Sequence, residues 1–347
     1  MSHKRSSPLR ATGDAVIAKG AVRRGRTLLA LSLVLLAVAI GWMLGGSPVG
    51  HFRSIEDKRR FLAAYTRAFA QLPQPERIAD VRTRFGMVRV YRFASARPDE
   101  IPLLLLPGRA APTPVWADNL PGLLARGPVY AIDLLGEPGM SIQDTPITST
   151  SDQAAWLHDV LAQLPDAELH VVGLSIGGWT AMNLAVHEPA KIATLTLIEP
   201  VFVFANLTVE AIVRSIPASV PWVPRRFRDG FNSWTAGGAP VSHDPVADMI
   251  EAGMSTYSLA LPPPGLVDAA GISALTIPTL VILAGDSPMH DAGAAAVTAK
   301  RLLRNGTVKI YPGTSHAISG ERPADLAADI AAHAAARGTA AAASPRH

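Results

Sequence analysis

Apolar and polar positions along this chain fall into three regimes. From Thr27 to Leu44 the sequence TLLALSLVLLAVAIGWML holds 18 residues without a charge, and the uncharged stretch runs on to Gly50. A helix of 18–20 residues is about 27–30 Å long, close to the hydrocarbon thickness of a bilayer. A helix packed on a core would show a polar face, and this one has only Ser32 to offer. Trp42 suits an interfacial position. The pattern predicts a transmembrane signal anchor over residues 27–46. A cleaved signal peptide is the alternative, but LGGSPVG after it is a poor small-x-small cleavage site.

The second regime is amphipathic. His51 to Leu72 reads as a helix, with Ile55, Leu62, Tyr65 and Phe69 on one stripe and Pro73 and Pro75 ending it. From Arg82 onward strand and helix patterns alternate, the third regime. Strands are predicted at Arg84–Ser95 (one or two), Ile101–Gly108, Pro128–Asp133, Glu168–Leu174, Ile192–Pro200, Thr276–Gly285 and Thr307–Gly313. Helices are predicted at Val115–Arg126, Ser151–Leu164 (capped by Ser149, Thr150 or Ser151), Gly177–His187, Ala292–Leu303 and Ala324–Ala336. Continuous apolar strands separated by helices imply an α/β protein, a mostly parallel sheet with helices on both faces. Residues 202–275 break the beat. They are rich in proline and aromatic residues, from Phe202 and Phe204 to Trp222, Phe227, Phe231 and Trp234, with a helix at Val246–Met254, the profile of an inserted helical cap. No internal repeat is visible.

These regimes divide the chain into a basic cytoplasmic tail (1–26), the anchor (27–46) and a juxtamembrane helix with linker (47–80). The core is expected at 81–201 and 276–337, the cap at 202–275 and a flexible Ala-rich tail at 338–347. Charge agrees with the division. Residues 1–50 hold seven Lys/Arg and one acid, while the remainder holds 25 Lys/Arg and 27 Asp/Glu. The net charge of +4 therefore belongs to the tail, and no basic surface is left to suggest nucleic acid as a partner. Within about 20 residues of each end of the anchor, five positive residues before it against four after it favour a cytoplasmic N-terminus with the catalytic domain extracytoplasmic, by a small margin. Apolar residues at 48% and charged residues at 17% exclude disorder for most of the chain. With no cysteine there is no disulfide, thiolate nucleophile or Cys-ligated zinc.

The chemistry concentrates in Gly173-Leu174-Ser175-Ile176-Gly177-Gly178, between a predicted strand and a predicted helix. A G-x-S-x-G turn in that setting is a nucleophile elbow: a strained bend lifts the hydroxyl above the sheet, and small flanking residues let strand and helix approach. The Ile176 N–H at the helix N-terminus can bind an oxyanion. A serine hydroxyl needs a base. Of ten histidines, His316 is placed for it, in PGTSHAISGERP between the last strand and the last helix. His170 and His187 flank the elbow and read as structural. His243 and His290 each precede an Asp, but no metal-ligand spacing appears. The second oxyanion N–H is expected from Arg109, after Pro107-Gly108. Neither G-x-G-x-x-G nor a P-loop is present.

With LLLLPG, DLLGEPGMS, GLSIGGWTAMNLAVHEP and PGTSHAI, the chain from about Arg82 to Ala336 resembles the α/β-hydrolase superfamily, in its carboxylesterase-like branch with a helical cap. The family's usual His-Gly after its third strand is Pro107-Gly108 here. The resemblance implies a Ser–His–acid triad, no metal or organic cofactor, and an ester substrate. It leaves the acid open. The usual position, just past the TLVILAG strand, is Pro288, with Asp286 before it and Asp291 after it. Glu199, ending the TLTLIEP strand, matches the site used in the haloalkane dehalogenase branch, and Asp291 could instead cap the next helix. The order of preference is Glu199, Asp291, Asp286. Dehalogenases and epoxide hydrolases of this fold use Asp at the elbow, so Ser175 argues against both; Asp133 reads as a turn-former.

The expected function is therefore a membrane-anchored serine hydrolase cleaving an apolar ester through an acyl-enzyme on Ser175. Two alternatives stand: a C–C bond hydrolase or haloperoxidase-like activity on the same triad, and a catalytically silent binding protein.

Overall fold

The computed structural model describes residues 46–220 and 223–342, with side chains to residue 336. The anchor predicted at 27–46 lies outside the described residues except for Gly46, as does the basic tail before it. Among the described residues no helix is long and apolar enough to cross a membrane. The chain divides into two units, Met1–Pro48 and Val49–His347, and the fold below is that of the second.

Its first elements are a two-residue strand β1 (His51–Phe52) and helix α1 (Ile55–Phe69). The helix starts later than the apolar stripe suggested because Ser54 caps it, its side chain accepting the Asp57 N–H at 3.0 Å. An antiparallel hairpin follows, β2 (Arg77–Thr83) and β3 (Gly86–Phe93). Only β3 falls in the strand region expected at Arg84–Ser95; β2 lies before it, mostly in the stretch expected as linker to residue 80, so the core begins earlier than 81. As an edge strand, RIADVRT is mostly exposed and carries charges where a buried strand would be apolar.

The apolar runs then deliver β4 (Leu103–Leu106), β5 (Val129–Ile132), β7 (Leu169–Leu174), β8 (Ile192–Ile198) and β10 (Thr279–Ala284), with β6 (Ile142–Gln143) a short pairing on β3 and β11 (Gly306–Tyr311) at the far edge. The nine-stranded sheet has the order β11-β10-β8-β7-β4-β5-β3-β2 with β6 beside β3. From β5 to β11 every pairing is parallel. Successive side chains on a strand point to opposite faces. Leu104, Leu106, Val171, Leu195 and Val281 enter one hydrophobic cluster, while Leu103, Leu105, Val172 and Ile282 enter the other. A sheet buried on both sides explains why its strands read as unbroken apolar runs.

Helices cover both faces. The predicted helix 115–126 is instead a 3-10 turn at Thr113–Trp116 and a short α2 (Leu120–Leu124), because Pro121 starts a new helix rather than continuing one. α3 (Thr150–Gln163) is capped by Ser149 in a reciprocal box with Asp152. α4 (Ile176–His187) follows β7. The cap segment folds as α5 (Val209–Ala218), α6 (Arg225–Thr235), α7 (Pro245–Thr256) and α8 (Ala269–Ala274). A two-residue strand β9 (Tyr257–Ser258) pairs with β1, and the buried pair Arg228–Glu251 at 3.0 Å joins α6 to α7. α9 (Ala292–Leu302), α10 (Ile318–Glu321) and α11 (Pro323–Ala342) complete the chain. The tail predicted as flexible from 338 is helical to Ala342, consistent with alanine's helix propensity, and residues 343–347 lie outside the described residues.

Candidate active site

β7 ends at Leu174 and α4 begins at Ile176, so Ser175 alone makes the turn between them. Its φ of +53° and ψ of −114° are rarely adopted by a residue with a side chain, a strain of roughly 1–3 kcal/mol that the surroundings must hold. They do so by close packing. A Cβ on Gly173 would lie 2.3 Å from the Gly177 carbonyl oxygen, and one on Gly177 would lie 2.2 Å from that of Leu106. The Ser175 N–H donates to the Ile198 carbonyl at 2.9 Å, and its own carbonyl accepts the Gly178 N–H at 2.9 Å.

His316 sits between β11 and α10. Its loop is braced by Glu321, which accepts the Ser315 N–H at 2.9 Å and the Ser315 hydroxyl at 2.5 Å. The backbone N–H of His316 donates to the Thr235 carbonyl at the end of α6, so that helix helps to set the ring's position. His316 Nε2 lies 3.0 Å from Ser175 Oγ.

Glu199 follows β8 in a left-handed conformation, φ +48°, with its side chain fully buried. Its Oε2 lies 2.9 Å from His316 Nδ1, and its Oε1 accepts the Ala284 N–H at 2.7 Å. Burial alone would push this carboxyl up. The partners His290 and His316 outweigh it and hold Glu199 well below the usual carboxylate range. An ionised carboxylate accepts only, so Nδ1 of His316 carries the proton and Nε2 is left to accept one from Ser175.

The structure thus brings Ser175, His316 and Glu199 together and leaves the other two carboxylates apart. Asp291 caps α9, its side chain accepting the Ala294 N–H at 2.8 Å. Asp286 donates its backbone N–H to the Thr314 carbonyl, and no hydrogen bond joins its side chain to His316. Asp133 is a buried scaffold whose carboxylate accepts the Thr113 and Met140 N–H groups and the Tyr65 hydroxyl. Burial pushes that carboxyl up despite these donors.

Two segments with unpaired backbone N–H groups lie beside Ser175. A Cβ on Gly108 would lie 3.8 Å from Ser175 Cβ, so the Pro107-Gly108 loop passes beside it. Among the described residues no hydrogen bond takes up the N–H of Ile176 or of Arg109. The next N–H, of Ala110, donates to Glu137 Oε2 at 3.3 Å, and the Arg109 guanidinium stands 3.1 Å from Glu137 Oε1. Buried Glu137 therefore clamps the loop that lacks the family's histidine. Sequence reasoning missed it, although an acid inside the otherwise apolar LLGEPGM was a signal. Ile176 and Arg109 also line a small pocket of about 20 Å³, with Leu134, Leu135, Trp156, Trp179 and Leu261 on its apolar side and Glu137, Gln153 and Thr180 on its polar side.

Residues 103–329 match the alpha/beta hydrolase family. The chain belongs to that family. It is 24% identical to Carboxylesterase YbfK of Bacillus subtilis over 279 residues, 78% of this chain and 92% of that one. The crystal structure of the same esterase superposes with a TM-score of 0.73 at 22% identity, covering 80% of this chain and 97% of that one. The crystal structure of naproxen esterase from Bacillus subtilis also gives 0.73, at 21% identity over 80% of this chain and 98% of that one. A membrane phospholipase A matches at 0.64 and 20% identity, over 90% of this alpha/beta hydrolase and 99% of that chain. At these identities the superpositions show the fold; the protein is an alpha/beta hydrolase of carboxylesterase-like kind.

Proposed function

We propose that this alpha/beta hydrolase is a serine esterase, tethered to the membrane by residues 27–46, that works through an acyl-enzyme on Ser175. The observation that carries the reading is the line Ser175 Oγ, His316 Nε2, His316 Nδ1, Glu199 Oε2, with separations of 3.0 and 2.9 Å.

His316 takes the Ser175 proton as Oγ attacks the ester carbonyl, and ionised Glu199 stabilises the imidazolium that forms. The carbonyl oxygen becomes negative and is met by the N–H groups of Ile176 and Arg109, fixed in place before the reaction. His316 then gives its proton to the leaving alkoxide, which departs as alcohol. Water repeats the sequence on the acyl-enzyme, with His316 again as base, and releases the acid. Protein groups supply every step. Leu134, Leu135, Trp156 and Trp179 beside the oxyanion donors favour an apolar acyl group, for which the small pocket they line has to open. The carboxylesterase relatives support an ester, and the uncharged 18-residue run after a basic tail supports the anchor, with the catalytic domain on the extracytoplasmic side.

A fluorophosphonate probe and a nitrophenyl ester test the chemistry. Labelling and turnover should both vanish in Ser175→Ala, and labelling that survives removes the mechanism. Ester turnover without ring-fission product or peroxide-dependent halogenation separates the esterase from the alternative activities. For the tether, the full chain should pellet with membranes and resist carbonate extraction, while a chain starting at Val49 should be released.

A further inference from the structure

A carboxylate has two oxygens, and His316 uses only one of those on Glu199. The other, Oε1, accepts the Ala284 N–H and also faces His290 Nε2 at 3.4 Å. His290 is enclosed, with 2% of its surface exposed. Neither of its ring nitrogens has a hydrogen-bond partner among the described residues, and the 3.4 Å approach is too poorly aligned to count as one. A buried polar ring left without a partner lowers stability, so its presence calls for a reason. Glu199 is the ionised group within its reach.

The backbone aims the ring. His290 lies in the loop between β10 and α9. Thr208, the N-cap of α5, pins that loop by donating its N–H to the Met289 carbonyl at 2.8 Å and its hydroxyl to the Pro288 carbonyl at 3.0 Å. On the far side Asp291 caps α9. The residue between these two anchors has little freedom but to point inward. The loop from which a triad acid was expected therefore supplies an imidazole, and the acid comes from the neighbouring strand.

We propose that His290 is a positioning residue of the triad: its Nε2–H holds Oε1 of Glu199 and so keeps Oε2 on His316 Nδ1. The Ala284 N–H alone fixes Oε1 from one direction and leaves the carboxylate plane free to tilt. A second donor from the side chain locks that plane. The 3.4 Å separation is at the long end of hydrogen-bond range, as catalytic hydrogen bonds commonly are before they tighten on approach to the transition state. This rests on the Ser175–His316–Glu199 reading.

The test compares His290→Gln, which keeps a donor nitrogen, with His290→Met, matched in length and lacking one. Folding is followed by circular dichroism and thermal melting, activity by nitrophenyl ester kinetics. The glutamine variant should keep kcat within about 3-fold of wild type, and the methionine variant should lose about 10-fold or more with KM unchanged. Fluorophosphonate labelling of Ser175 should slow in parallel. The proposal is overturned if the methionine variant matches wild type, if both variants lose kcat equally, or if the loss is in KM. If the methionine variant does not fold, ¹⁵N NMR of wild-type His290 decides instead. A proton on Nε2 is expected, and a bare Nε2 overturns the assignment. Residual activity in Ser175→Ala would sink the triad itself. An inactive Ser175→Ala beside a fully active methionine variant would sink only the role of His290.

Discussion

Glu199 Oε2 lies 2.9 Å from His316 Nδ1 across 117 residues of sequence, from a strand end that is two places away in the sheet from β11, the strand that leads to the histidine. The strand between them, β10, contributes the Ala284 N–H to the same carboxylate. Glu199 is thus tied to the sheet's backbone as well as to His316.

Glu199→Gln keeps the shape but removes the charge that stabilises the imidazolium and selects the tautomer. We expect kcat to fall by about 10⁴-fold. Asp291→Asn should change kcat less than about 2-fold, because that side chain serves α9, and Asp286→Asn should behave likewise. Steady-state kinetics on the three variants separate the candidates. A loss in Asp291→Asn comparable to that in Glu199→Gln would reassign the acid.

The same residue makes stability depend on pH. Its carboxyl is more acidic in the folded protein than in the unfolded chain, so the folded state binds fewer protons. Its contribution is present above the ordinary carboxylate range and is lost as pH falls through that range toward the folded value. Between about pH 5 and pH 3 the Tm of wild type should drop more steeply than that of Glu199→Gln. Parallel Tm–pH curves would contradict the burial and pairing described above.

The elbow tolerates no side chain at its glycines. Gly177→Ala sets a methyl 2.2 Å from a backbone oxygen that cannot move without shifting β4. A loss of about 3 kcal/mol or more is expected, read by chemical denaturation, together with loss of activity. Gly320→Ala, where nothing lies within 4 Å, should cost nothing measurable and serves as the control.

Glu137 should matter to the oxyanion loop more than to binding. Glu137→Ala leaves the buried Ala110 N–H without its acceptor and frees the Arg109 side chain, loosening the loop whose N–H is proposed to meet the oxyanion. We expect kcat to fall by about 10²-fold with KM little changed, and Glu137→Gln, which keeps an acceptor, to be milder. An unaltered kcat in the alanine variant would show that the loop holds itself.

Much of the site is legible in the chain because it is local. Gly173, Ser175, Gly177 and Gly178 form one turn, and the physics that demands them acts within six residues, so strand, bend and helix are written side by side. The apolar runs from Leu103 to Ala284 are equally direct, since strands covered on both faces have no polar side to disguise them. Where an element lacks that coverage the signal fails: β2, an exposed edge, hid among charged residues. The choice between Glu199 and Asp291 was not local either. Both end or follow a strand beside apolar residues, and only the docking of β8 next to β10, with α9 claiming Asp291 for its own unpaired N–H groups, decides which carboxylate meets His316. Glu137 and His290 became visible for the same reason. A buried polar group acquires its role from what surrounds it in space, and that is settled when distant segments pack rather than when their residues are strung together.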